Sequence, residues 1–119
     1  MTIQPDLTIT DIQRQFTKVF PGLRLSFYEK AHNSFEGSQA ATTYAPTRTL
    51  GSIQPALKPG TLTLNPALTV AELEAALEQQ FGLHVQVLRR SNQLWLQTTS
   101  TDGWTLEVQN RKGLHSSQD

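Results

Sequence analysis

The run Leu68-Thr69-Val70-Ala71-Glu72-Leu73-Glu74-Ala75-Ala76-Leu77-Glu78-Gln79-Gln80-Phe81-Gly82-Leu83-His84-Val85-Gln86-Val87 decides the fold. Thr69 followed three residues later by Glu72 is a capping box: the hydroxyl takes a free helix N–H and the carboxylate reaches back to the cap. Leu68 and Leu73 stand at the two positions of a hydrophobic staple. Val70, Leu73, Leu77 and Phe81 recur at steps of three and four and share one helical face. Glu72 and Glu74 fall in the first turn, where the helix dipole favours negative charge. Gly82 suits the left-handed position after a helix. The period then changes to two. Leu83, Val85 and Val87 alternate with His84, Gln86 and Leu88, the pattern of a strand with one buried face.

Downstream, Arg89-Arg90 end this strand, Ser91-Asn92-Gln93 reads as a hairpin turn, and Leu94 to Thr99 as the returning strand. Thr101-Asp102-Gly103 signals another turn. Trp104 to Val108 reads as a last strand or a short helix; alternation favours the strand, and a fifth strand is the runner-up to the four-stranded sheet. Upstream, Ile9, Ile12, Phe16, Val19 and Phe20 form a second helical stripe. Thr10 and Gln13 supply its capping box, and Pro21-Gly22 ends it. Leu23, Leu25 and Phe27 then alternate with Arg24, Ser26 and Tyr28. Phe20 to Phe27 lines up with Phe81 to Val87, allowing one inserted residue. With Thr61-Leu62-Thr63-Leu64 as the second strand of the first unit, the order is helix-strand-strand, twice. The expected fold is therefore α+β: a four-stranded, mostly antiparallel sheet with two helices on one face. The expected core is Ile12, Phe16, Phe20, Leu25, Phe27, Leu64, Leu73, Leu77, Phe81, Val85, Val87 and Leu96.

At 119 residues and no net charge the chain is one domain, expected over residues 1–112 with a frayed tail at 113–119. The connection from 30 to 60 is long and poor in large apolar residues at its centre. Such stretches are mobile or functional. Leu50, Ile53 and Leu57 suggest one short helical turn within it. Residues 13–58 carry six basic and two acidic groups, whereas Glu72, Glu74 and Glu78 give the second helix an acidic outer face. Balanced charge argues against nucleic acid and anionic membranes as partners. The absence of cysteine removes disulfides, thiolate metal sites and cysteine nucleophiles. There is no apolar run long enough for a membrane span and no basic-then-apolar leader, so the expectation is a cytoplasmic protein.

The three histidines, His32, His84 and His115, lack metal-ligand spacing, and no cofactor motif is present. Glu29-x-x-His32-x-x-x-Glu36 alone groups a histidine with carboxylates. It is the candidate site for a small-molecule-binding protein or small enzyme closed by the 30–60 loop. The richer constellation is a surface. The strand residues facing away from the helices are Arg24, Ser26, Tyr28, Thr61, Thr63, His84, Gln86, Leu88 and Arg90. Trp95, Gln97 and Thr99 join them if Leu94 and Leu96 point inward. Two helices cover only one side of such a sheet, so the other side is open. Aromatics, a leucine and arginines among small hydroxyls compose a recognition surface. The binding candidates on it are Arg24, Tyr28, His84, Gln86, Leu88, Arg90 and Trp95. The partner is expected to be another protein or a second copy of the chain, making a homodimer. Single-stranded nucleic acid is a third and weaker reading.

Phe81 to Ser91, then Trp95, then Thr98-Thr99-Ser100-Thr101-Asp102-Gly103-Trp104-Thr105-Leu106 resembles a group of small uncharacterised bacterial proteins. Gly37-Ser38 and Leu50-Gly51-x-Ile53 fit the same pattern. The resemblance spans most of the chain and implies a bacterial origin. That group has no assigned activity, so no functional residue is carried over. The function expected is a non-catalytic interaction or regulatory module rather than an enzyme.

Overall fold

Four threonines start four helices. Thr8 precedes α1 (Ile9–Val19), Thr49 precedes α2 (Leu50–Ile53), Thr69 precedes α3 (Val70–Phe81) and Thr105 precedes α4 (Leu106–Ser116). Each hydroxyl accepts the backbone N–H three residues on, from Asp11, Ser52, Glu72 and Val108. The next orphan donors of each helix are met by a partner helix start, in two reciprocal pairs. Ile9 N–H donates to Arg48 O at 3.0 Å while Leu50 N–H donates to Leu7 O at 2.8 Å. Val70 N–H donates to Trp104 O at 3.0 Å while Leu106 N–H donates to Leu68 O at 2.8 Å. Two further bonds repeat the match: Thr10 to Pro46 O with Gly51 to Pro5 O, and Ala71 to Asp102 O with Glu107 to Pro66 O. Helix termini that would need water are thus satisfied inside the fold.

The computed structural model describes residues 1–29 and 43–116. Between the helices run β1 (Thr2–Ile3), β2 (Leu23–Tyr28), β3 (Gly60–Thr61), β4 (His84–Ser91) and β5 (Leu94–Gln97). They form a three-stranded sheet in the order β2-β4-β5 and a two-stranded sheet of β1 with β3, all antiparallel. The fold class is α+β, but the single four-stranded sheet is not formed. Gly60 and Thr61 pair with Ile3 and Thr2, and Leu62 N–H donates to Met1 O, so this segment never reaches β2. Thr61 and Thr63 therefore leave the proposed sheet face.

The two halves of the chain are built alike. Ile3-Gln4-Pro5-Asp6-Leu7-Thr8-Ile9 corresponds to Leu64-Asn65-Pro66-Ala67-Leu68-Thr69-Val70, and Leu23 to Tyr28 corresponds to Leu83 to Leu88. Leu25 faces Val87 and Phe27 faces Val85, each pairing with the counterpart of the other. Ser26 faces its own counterpart Gln86. The halves are thus related by an approximate two-fold axis through the β2–β4 pair. The repeated unit is strand, helix, strand and a second capped helix, not the expected helix-strand-strand.

Three local expectations change. Thr8 and Asp11, not Thr10 and Gln13, form the α1 capping box. Thr10 instead donates to Pro46 O, and Gln13 donates to Leu25 O at 2.8 Å. The stretch Trp104–Val108 enters α4 rather than a strand, because Thr105 caps it and its first amides bond to the α3 turn. Residues 113–116 continue α4 instead of fraying; Gly113 lies against Gly22, where a Cβ would sit 2.4 Å from the Gly22 carbonyl oxygen. Residues 117–119 lie outside the described residues. Of the 30–60 connection, residues 43–60 are built into the fold, with Leu50 and Leu57 buried. The expected mobility of its remainder falls on 30–42, outside the described residues.

The core joins both halves: Ile3, Ile9, Ile12, Phe16 and Phe20 from one side, Val70, Leu73, Leu77 and Phe81 from the other, with Leu50 and Leu106 closing the ends. Leu25, Phe27, Val85 and Val87 present the expected buried sheet face. Leu64 is half-buried and packs against this cluster. Leu96, expected inside, is 42% exposed, and Val19 is 49% exposed. Glu74 does not join the acidic outer face; its carboxylate accepts the Val87 N–H at 2.9 Å, beyond the end of β5.

Candidate interaction surface at the free end of the sheet

The face of the sheet opposite the core carries the predicted alternation. Cross-strand partners share a face, so the register puts Tyr28 beside His84, Ser26 beside Gln86, Arg24 beside Leu88 and Gln97, and Arg90 beside Trp95. The seven candidate binding residues do lie on one face. That face is not open along its length, however. Gln86 is fully buried, donating to Val87 O and accepting from the Thr99 hydroxyl, and Tyr28 is buried too. Neither is an accessible part of that face: Gln86 lies at the two-fold axis and Tyr28 one pair beyond it, beside His84. His84 is half-buried, with Nδ1 3.6 Å from Glu78 Oε1 and without a hydrogen-bond partner among the described residues.

The accessible part is the end near the β4–β5 hairpin. The Arg24 guanidinium reaches across β4 to stand 5.9 Å from the Trp95 ring centroid. Leu88 is half-buried beneath this bridge and Arg90, exposed, donates to Asn92 O. Asn92 takes a positive φ of 55°, which a two-residue hairpin turn demands and asparagine tolerates. This tight turn fixes the register of β5.

That register places Leu94 and Leu96 on the helix-covered side, as expected, opposite Ser91 and Arg89. Yet β5 lies past the cover of the helices, so Leu94 is 67% exposed. Beside them, Arg89 stacks 5.6 Å over the Trp104 ring, itself 40% exposed, and donates to Gln109 Oε1 at 3.0 Å. Gln109 is fully buried and its amide donates to the Thr101 carbonyl and hydroxyl, both at 2.8 Å. It holds Arg89 in place. Leu94, Arg89 and Trp104 were missed from the sequence. The hairpin made the strand face of Leu94 and Arg89 readable, but not how far the helices reach over β5.

Among the described residues Glu107 forms an ion pair with Arg111, and the Glu78 carboxylate stands near the His84 ring. Arg24, Arg89 and Arg90 face aromatic rings or carbonyl oxygens instead, and none of the three has a carboxylate partner among the described residues. β5 is also an edge strand among the described residues. Arg90 N–H donates to Gly22 O on the β2 side, so Arg89 and Ser91 turn toward β5 and meet Leu96 and Leu94. The N–H and C=O of Trp95 consequently point outward from the edge.

The loop site is not assembled by the described residues. Glu29 is exposed at the end of β2, and His32 and Glu36 lie outside the described residues. Among the described residues there is no group of three histidine, cysteine or carboxylate side chains able to hold a metal. The carboxylates held below their ordinary range are Asp11 and Glu72, each by hydrogen bonds to the threonine it caps with, which is helix architecture rather than catalysis. A shallow pocket of about 270 Å³ lies between Gln54, Leu57, Lys58, Gln80, Phe81 and Gly82. It is smaller than a typical ligand site. No helix among the described residues is long and apolar enough to cross a membrane. Comparison with family models, curated proteins and solved structures returns no match.

Proposed function

We propose that this chain is a non-catalytic protein-interaction module that binds through the free end of its sheet, around Trp95. One observation carries the reading: among the described residues, three of the four exposed large apolar side chains, Leu94, Leu96 and Trp104, lie beside one edge strand and three arginines. Scattered exposed leucines need no explanation, but a cluster at a strand that is the sheet edge among the described residues does. Natural edges are blunted by short length, lysine, proline or a bulge; β5 is short, at four residues, but carries no lysine, proline or bulge among Leu94-Trp95-Leu96-Gln97. Aromatic and arginine side chains are the residue types that dominate binding energies.

The test is the Trp95→Asp variant of the tagged chain. Trp95 is half-buried on the surface, so circular dichroism and the melting temperature stay close to wild type. Any protein retained by the wild-type chain is expected to be lost. Unchanged retention by the variant contradicts the reading. So does a wild-type chain that retains nothing and sediments as a monomer.

A further inference from the structure

We infer that the partner segment is an extended strand that adds to β5 and alternates acidic with apolar residues; this rests on the interaction reading above. The edge offers the Trp95 N–H and C=O for main-chain pairing, the ordinary basis of strand addition. An added strand would place alternate side chains on the two sheet faces. On one face they meet Trp95 and the guanidinium groups of Arg24 and Arg90, which have no carboxylate partner among the described residues. Carboxylates complement that face: the Arg24 guanidinium reaches over Trp95 and Arg90 is the cross-strand partner of Trp95, so both cations lie behind the residue that the added strand meets. On the other face the side chains meet Leu94, Leu96 and the Trp104 ring, which call for apolar groups. The two faces of one short strand thus specify two alternating chemistries.

A second copy of the chain fits less well. Antiparallel pairing of β5 with its own copy would gather the arginines of both chains on one sheet face, against like-charge repulsion. The negative groups of α3, Glu72 and Glu78, stand on a different element.

The experiment uses the full chain and a capped ten-residue peptide alternating glutamate with valine, with a lysine–valine peptide as its counterpart. Amide NMR shifts are followed through the titration. The glutamate peptide is expected to move the Trp95 and Leu96 amides and to slow exchange of the Trp95 N–H. Arg90→Glu is expected to weaken the glutamate peptide about tenfold and to strengthen the lysine peptide, as charge complementarity requires. Equal binding of both peptides overturns the proposal, as do shifts confined to other elements. Absence of binding overturns it as well, and concentration-dependent dimerisation lost in Arg90→Glu would assign the edge to a second copy. If the peptide fails while Trp95→Asp still releases a protein partner, the strand chemistry falls and the interaction module stands. If Trp95→Asp releases nothing, both fall.

Discussion

The first half of the molecule and the second share a device but end differently. In both, a threonine-capped helix runs into a strand and its first amides bond to the turn before a second capped helix. The second helix of each half then leans on the glycine turn of the other: Gln54 donates to Gly82 O, and Asn110 accepts from the Gly22 N–H at 2.7 Å. There the likeness stops. α2 lasts four residues and leaves the shallow pocket above Phe81 and Gly82. α4 lasts eleven and seats Gly113 against Gly22. Among the described residues the second half also adds β5, whereas the first shows one isolated bridge, Tyr28 with Thr43, at the corresponding place. Shared parts build the core. The parts that differ build the surface proposed to bind.

The strongest way to break this comparison is to empty the same core position in each half. Phe16 and Leu77 are counterparts and both are fully buried. Phe16→Ala is expected to cost about 4 kcal/mol and Leu77→Ala about 3 kcal/mol, from lost burial plus the cavity left. Urea denaturation followed by fluorescence and circular dichroism should still give one transition in each variant. Two separated transitions would mean that the halves are not one cooperative unit.

Gly113→Leu sharpens the difference instead. The added side chain must displace the Gly22 backbone or lift α4 from the sheet, an overpacking cost of about 3 kcal/mol. Loss of protection at the Gln109 and Asn110 amides would accompany it. A variant as stable as wild type would contradict the close docking of α4.

Removing the caps returns to what the halves share. Thr8→Ala and Thr69→Ala are each expected to cost about 1 kcal/mol, and by similar amounts, read from denaturation midpoints. A clearly unequal pair would show that the two capping boxes are not equivalent.

The smallest effect is in pH. Asp11 and Glu72 are lowered in the folded chain by hydrogen bonds from their capping threonines. Lowered carboxylates contribute stability that is present above their unfolded pKa, around 4, and is lost as pH falls through the folded value. Asp11→Asn together with Glu72→Gln is therefore expected to flatten the acid side of the stability curve. An unchanged slope of midpoint against pH would show that these bonds do not distinguish the folded state.

The legible parts of the sequence were those with period and punctuation. Val70, Leu73, Leu77 and Phe81 between Thr69 and Gly82 specify α3 completely, and Gly82 takes the expected left-handed φ of 65°. Leu23 to Tyr28 and His84 to Ser91 read correctly because their alternation is strict. α4 was illegible because its buried face is Leu106, Gln109 and Gly113, an apolar residue, an amide and a glycine. Gln109 is buried by its bonds to Arg89 and Thr101 rather than by hydrophobicity, so no periodic stripe marks the helix. β1 is two residues long and pairs with a segment about sixty residues away, beyond any local signal. On the site, residue type and strand face were readable, but burial was not. Gln86 and Tyr28 belong to an exposed-looking pattern and are buried, while Leu94 and Leu96 belong to an inward pattern and are exposed. Which part of a strand is covered depends on how far the helices extend across the sheet.

The most direct measurement compares two exposed apolar residues, one at the differing end and one on the shared device. Leu96→Lys places a charge on β5, and Val19→Lys places one on α1, with 42% and 49% exposure at the two positions. Proteins retained by the tagged chain are quantified for both variants beside wild type, with the melting temperature as a control for folding. Leu96→Lys should lose its partner while Val19→Lys keeps it. Retention by Leu96→Lys, or loss in Val19→Lys alone, would contradict the assignment of binding to the free end of the sheet.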